Sequence, residues 1–590
     1  MKKTKNSIIA IILSIILVIF IWHKFLVSGN SVIFILLFAG FYYFLAEELK
    51  NLNKRKCIVS LIIAVIFGFI EIICSSINID YTLGNIIDKW NIINFMGYTI
   101  LAWSIILKIY SMTENYKQCD EQEIKIGRVR ILSNNKVSFL INMLLILIAW
   151  LPYFLRYYPG LLTADSCAQV TQAIGNSRLT SHHPVFHTSI ISIFINIGVF
   201  IFNNINTGVA LYTIFQMILL ATMFSGVLQY LSKRKTPLSI KLIILVFYMF
   251  YPINGLFSVT MWKDVLFAGI IPIFLTLCSE LIFNTDEFFK EKKNIIIYIV
   301  ISVFVFLMRN NGMYVVILTM PFIAVVLKKY LTKVIPMFLG IIAMYLIINT
   351  ALFSILNIQK GSIAEMLSIP LQQIARVQKY HNDELDDETK QEIDKFFNVT
   401  NIGEKYNPIL SDPVKAELNE MYFNEHKSEF IKLWIKLLKT NFKDYVESFI
   451  SNSYGYYYPE AKHWVANRTM EKNKLGLEQT PIINGKLVSK VDSLIEKRDI
   501  PIISMCFSIG MAFWILVISL GYKIYIKEYK YILLYLPIFI LWLTIVASPV
   551  FCEYRYAYSL FTTLPLYIAL NFIKGEKKQN GKNSSINTML

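Results

Sequence analysis

The chain has 590 residues, of which 55% are hydrophobic and 16% charged, with a mean hydropathy of +0.52. Ordinary soluble domains carry about a quarter charged residues, so this composition excludes them and defines a membrane protein. The formal net charge of +17 does not mark a nucleic-acid binder either. Lys and Arg cluster in short loops between apolar runs, which is the positive-inside pattern.

In chain order, a basic start and a long apolar run without a small-residue cleavage site predict an uncleaved first span over 7–27. Further spans follow over 31–48, 57–76 and 93–110. The basic start and the loops holding Lys54, Arg55 and Lys56, then Arg128, Arg130 and Lys136, fall on one side, which the charge rule makes cytoplasmic. The span over 137–155 then delivers the stretch from Tyr157 to Thr188 to the outer face. There Pro159 and Gly160 end the apolar run. Thr163 is placed to cap a helix with Asp165 in its first turn, where the helix dipole favours a carboxylate. Asp165, Gln169 and Gln172 share one face of that helix. Cys167, Val170 and Ile174 share the other, an amphipathic pattern suited to a membrane surface.

Residues 184–203 and 208–231 are both long enough to cross. Two crossings would place the basic stretch from Ser232 to Lys241 outside, so 184–203 is expected to dip into or lie along the membrane. Passes over 240–257 and 265–283 follow. Residues 294–327 form two short helices broken at Arg309, and a span covers 334–354. A polar region from 355 to 500 predicts a small α-rich outer domain. Spans near 501–521, 531–548 and 557–573 end in a basic cytoplasmic tail carrying Lys574, Lys577 and Lys578. The resulting organisation is a four-span region with a cytoplasmic loop (1–135), a catalytic membrane bundle (136–354), an extracytoplasmic domain (355–500) and C-terminal spans with a tail (501–590). The fold class is an all-α polytopic membrane protein with about 13–15 spans and both termini cytoplasmic. The seven cysteines are scattered without zinc-ribbon spacing, and Cys74, Cys278 and Cys506 lie in apolar runs.

On this topology Asp165, the histidines His182, His183 and His187, Lys263 with Asp264, Arg309, and Glu553 with Arg555 all fall at outer ends of spans. Ionisable groups at such positions are costly unless paired or used. The order YPGLLTADS, HHP, SKRK, MWKD, MRNNG and SPVFCEYRYAYS resembles the GT-C class of membrane glycosyltransferases. That class carries a catalytic Asp on an early outer loop and later acidic and Arg-bearing outer loops. The chain departs from it in having no DxD or ExD pair at Asp165 and in its four extra N-terminal spans.

The resemblance implies transfer of a sugar from a polyprenyl-phosphate donor, held at the membrane, to a glycan, lipid or protein acceptor at the outer face of the cell membrane. Asp165 would act as general base. His182, His183, Lys263, Asp264, Arg309, Arg376, Glu553 and Arg555 would bind substrate, with Arg555, Arg309 and Lys263 on the phosphate. Asp264 has a second reading as an ion-pair partner of Lys263. No cofactor is implied. A divalent metal held by His183 and His187, with Asp165 or His182, is the secondary reading of the histidine spacing. Arg376 enters through a helix, Ser368 to His381, that carries Gln372 on the same face, and the tyrosines of Asn452 to Glu460 are candidate sugar-stacking residues. The alternatives are a cell-surface glycan ligase or polymerase, which uses late-loop Arg and His, and a lipid or glycan transporter. A transporter would place charges at mid-bilayer in repeated broken helices.

Overall fold

The computed structural model describes residues 2–25, 31–50, 52–116, 123–126, 129–497 and 501–573. Arg128 and the tail from Lys574 onward, both used in the topology argument, lie outside them. Four long apolar helices open the chain: α1 (Lys2–Phe25), α2 (Ser31–Lys50), α3 (Lys54–Asp80) and α4 (Lys89–Asn115). Asn53 and Asp88 cap α3 and α4, their side chains accepting from the backbone N–H of Lys56 and Trp90. A short antiparallel hairpin, Ile124–Ile126 with Val129–Ile131, precedes α5 (Lys136–Arg156).

The central bundle continues with α6 (Ala164–Ala173), α7 (Val185–Phe202), α8 (Ile205–Lys233), α9 (Leu238–Phe250), α10 (Pro252–Ser258) and α11 (Lys263–Phe283). Then come α12 (Thr285–Lys290), α13 (Lys292–Met308), α14 (Asn310–Val326) and α15 (Leu331–Ile355). α9 and α10 are together long and apolar enough to cross a membrane and are bent by 49° at their junction. Pro252 stands at the break, where its ring and missing N–H prevent a continuous helix. α11 runs through the middle, packed by α8, α13 and α26 (Tyr554–Phe572).

Ten helices among the described residues are long and apolar enough to cross a membrane, or eleven with the bent pair. The chain is therefore an all-α, multi-pass membrane protein. The number is below the expected 13–15 because α13, α14 and α24 (Ile509–Tyr525) have 17 residues each, a few short of the usual spanning length.

α7 meets the length and composition test for a span, and each of its ends contacts elements near the Asp165 loop. Its first turn meets α6, where His187 lies against Gln169. Its far end turns through Asn203 and Asn204 into α8, where Asn206 bonds Gly476 and Glu478 beside the Asp165 loop. The hairpin is tight: a Cβ on Gly198 would stand 2.3 Å from the Gly208 nitrogen. Basic residues gather at the opposite end. There Lys233 pairs with Glu280 at 3.0 Å and Lys241 donates to the Leu132 carbonyl at 2.6 Å.

The polar region contains α16 (Ser368–His381), α17 (Asp387–Lys395), α18 (Asp412–Lys415), α19 (Glu420–Glu425), α20 (Lys427–Thr440) and α21 (Phe442–Ser453). These helices share a core of their own around Leu371, Ile374, Phe396, Phe430 and Leu433. Residues 454–485 then run back across the site end as an extended strap. Glu471 N–H donates to Leu162 O, and Thr480 N–H to Tyr158 O, both at 2.9 Å. The chain ends with α22 (Lys486–Lys497), α23 (Pro501–Cys506), α24, α25 (Ile532–Ala547) and α26.

Two local expectations change. The apolar face of α6 is not laid on lipid: Val170 is fully buried with Ile191, Ile195 and Val209 of α7 and α8. Tyr454, Tyr456 and Tyr458 are buried rather than offered to a sugar, because they wedge among the bundle helices.

Candidate functional site

Two loops are joined edge to edge at the end of the bundle where α5 finishes and α11 begins. Leu161 N–H donates to Val259 O at 2.8 Å, and Met261 N–H donates to Leu161 O at 2.9 Å. Gly160 makes this approach possible. Its φ is +153°, and a Cβ there would stand 2.4 Å from the Thr213 hydroxyl. Gln216 of α8 donates to the carbonyls of Ser258 at 3.0 Å and Thr260 at 2.8 Å, fixing the second loop from below. Thr163 caps α6 in a capping box with Ser166, as its position predicts. Trp262 then ties the two loops together by donating to the Thr163 hydroxyl at 2.7 Å.

The result brings Asp165 of α6 against Arg555 of α26 across 390 positions of sequence. Arg555 donates from NH1 to Asp165 Oδ2 and from Nε to Glu553 Oε2, each at 2.6 Å. Its NH2 donates to the Tyr556 hydroxyl at 2.9 Å. Its guanidinium lies 5.4 Å from the centre of the Trp262 ring and 4.7 Å from that of Tyr556. The Arg309 guanidinium lies 4.8 Å from the same Tyr556 ring. Arg309 also pairs with Asp264 at 3.2 Å, both residues being buried. Lys263 Nζ is 3.2 Å from His183 Nδ1.

The electrostatics follow from this geometry. Burial raises the Asp165 carboxyl, but the Arg555 guanidinium, helped by Lys263 and His183, outweighs it and holds Asp165 at about 2. Burial, seconded by Lys263, lowers His183 to about 4. The ring is therefore neutral near pH 7 and accepts from the lysine. Glu553 is raised above its ordinary value by burial, which Arg555 only partly offsets.

Asp165, His183, Lys263, Asp264, Arg309, Glu553 and Arg555 are therefore gathered at one place. His182 is exposed at its edge, its ring 4.6 Å from that of His183. Asp264 pairs with Arg309 rather than with its neighbour Lys263. Arg376 is not part of the site. It is buried inside the polar helical region between Asp444, Glu447 and the Tyr406 hydroxyl, because α16 turns that face inward onto α21. Gln372 is likewise buried and donates to Asn407 O.

His187 is enclosed by protein, with Nδ1 3.0 Å from Gln169 Nε2 and Nε2 2.7 Å from the Tyr212 hydroxyl. It is therefore not presented to a metal beside His183. Among the described residues no group of three His, Cys, Asp or Glu side chains is arranged to hold an ion. Trp262, Tyr556 and Gln216 were not anticipated. The first two have a signal in hindsight, since each is an aromatic residue directly beside a cation in MWKD and EYRY. Gln216, inside an apolar run, has none.

The fold and this polar cluster define an all-α multi-pass membrane protein with a charged site at one end of its bundle. No curated protein and no solved structure matches the chain. It belongs to the family of unknown function DUF6020, whose model matches residues 173–585, well over half of its length. The matched stretch holds every residue of the cluster except Asp165, which lies just upstream of it.

Proposed function

We propose that the protein is a membrane glycosyltransferase that moves a sugar from a polyprenyl-phosphate donor to an acceptor hydroxyl at the outer face of the cell membrane. The observation that supports this reading is the gathering of Lys263, Arg309 and Arg555 with the carboxylates of Asp165, Asp264 and Glu553 at a single end of the bundle, the two guanidinium groups lying over the aromatic pair Trp262 and Tyr556. A donor anchored by its lipid presents its phosphate at that depth. An Arg fork suits phosphate better than a point-charge Lys, so Arg555 takes the phosphate, with Arg309 and Lys263 adding charge.

In the transfer step the acceptor oxygen attacks the anomeric carbon and forms the new C–O bond, while the bond from that carbon to the phosphate oxygen breaks. The acceptor proton passes to Asp165, and the polyprenyl phosphate leaves as a dianion stabilised by the cations. Comparison of surface glycans, and of transfer by purified protein, between wild type and Asp165→Asn tests the reading, with insertion checked in both. Transfer should fall by roughly 100- to 10,000-fold, as when a general base is lost. Near-normal transfer by a correctly inserted Asp165→Asn protein would refute the role given to Asp165.

A further inference from the structure

Arg555 has five N–H donors in a rigid fork, and a phosphate is held best by two of them along one edge. Neither edge with NH2 is free. The Nε/NH2 edge is engaged by Glu553 and the Tyr556 hydroxyl, and the NH1/NH2 edge by Asp165. The two carboxylates differ in how they can yield. Glu553 is two residues from Arg555 in the chain and its side chain is 20% exposed. Asp165 approaches from another helix and its side chain is 33% exposed. The side that opens to a ligand is the Asp165 side.

We propose that the phosphate of the ligand and the carboxylate of Asp165 compete for the NH1 edge of Arg555, so that phosphate entry releases Asp165 to act as base. This rests on the glycosyltransferase reading above and adds its control. Before the donor arrives, Asp165 is neutralised by Arg555 and is a weak proton acceptor. Once phosphate takes the guanidinium, the charge that holds the Asp165 carboxyl low is spent on the ligand, and Asp165 strengthens as a base next to the anomeric centre. Donor therefore precedes activation of the acceptor hydroxyl, and water is not activated before the donor arrives. Glu553 and Tyr556 keep the guanidinium in place through the exchange.

The test is binding, read without turnover. Farnesyl phosphate and inorganic phosphate are titrated separately into the full-length protein in nanodiscs. Removing the competitor has an effect opposite to that of removing a ligand contact. Asp165→Asn should bind farnesyl phosphate at least about tenfold more tightly than wild type, in the range of close charge-pair couplings. The gain should vanish on an Arg555→Ala background. Asp165→Ser, which also removes the charge, serves if the Asn variant is not monodisperse.

Unchanged or weaker binding by the Asp165 variants, with wild type binding normally, overturns the competition and leaves the proposed function standing. A gain from Glu553→Gln as large as that from Asp165→Asn reduces the effect to net charge and also overturns it. Failure of wild type and both Asp165 variants to bind either probe removes the competition and the phosphate-donor reading together. A gain seen with both probes supports competition for phosphate as such. A gain confined to farnesyl phosphate supports it for the lipid-linked form.

Discussion

Replacing Arg376 with Met should destabilise the polar helical region of α16–α21 by about 3–5 kcal/mol, the cost of leaving buried carboxylates without their cation. Arg376 is 1% exposed, and Asp444 and Glu447 are 7% and 3% exposed. Its Nε lies 3.3 Å from Asp444, a separation at which two charges attract by about 5 kcal/mol at an effective dielectric constant near 20. Glu447 makes a second, closer contact, and NH1 donates to Tyr406 at 3.2 Å. Desolvation of all three groups offsets much of that attraction in the native protein, so the net worth of the cluster is small. Removal of one member is not. Glu447 retains Lys443 and the Leu83 N–H, and Asp444 retains His381, which places the cost within that range rather than above it. Thermal unfolding in detergent, with limited proteolysis reporting on residues 364–445, measures the effect. Adding Asp444→Asn and Glu447→Gln to Arg376→Met should recover most of the loss, because no charge is then left unpaired. Farnesyl phosphate affinity should stay within about twofold of wild type. A stable Arg376→Met protein with much weaker phosphate binding would refute the structural role and return Arg376 to the ligand.

His183 is held at about 4 instead of 6.5, so between those pH values the folded protein binds fewer protons than the unfolded chain. Stability should therefore fall on acidification across that window, by on the order of 3 kcal/mol, and His183→Gln should flatten that part of the profile. A profile with the same slope in both proteins would contradict this. Gly198→Ala should cost about 1–3 kcal/mol, since the new Cβ meets the Gly208 backbone; a midpoint equal to that of wild type would show that the hairpin can open without penalty. Reporter fusions after residues 165 and 430 should share one side of the membrane, and a fusion after residue 235 should report the other. A common side for 165 and 235 would make α7 a true crossing and break the one-ended site.

The residue pattern alone determined where the helices lie. Apolar runs of spanning length predicted 137–155 and 265–283, against α5 at Lys136–Arg156 and α11 at Lys263–Phe283. It also placed the break between α13 and α14 at Arg309 and the cap of α6 at Thr163. These are local properties, set by the length of an apolar run, the chemistry of a helix end and the charge of a short loop. The gathering of Asp165, Lys263, Asp264, Arg309 and Arg555 followed from the same rules, because charge cannot sit inside the bilayer and so collects at span ends. Tertiary structure decided which charges pair. Asp165 meets Arg555 because the Leu161 and Met261 loops are bonded edge to edge, a contact with no local signature. Arg376 lies on a polar helix face that reads as a substrate contact, yet that face is buried, because Asp444 and Glu447 of α21 satisfy it. The apolar side of α6 reads as suited to a membrane surface, yet an apolar face fits lipid and protein alike. Only the packing of α7 and α8 chooses between them, because hydrophobic burial is non-directional and does not name its partner.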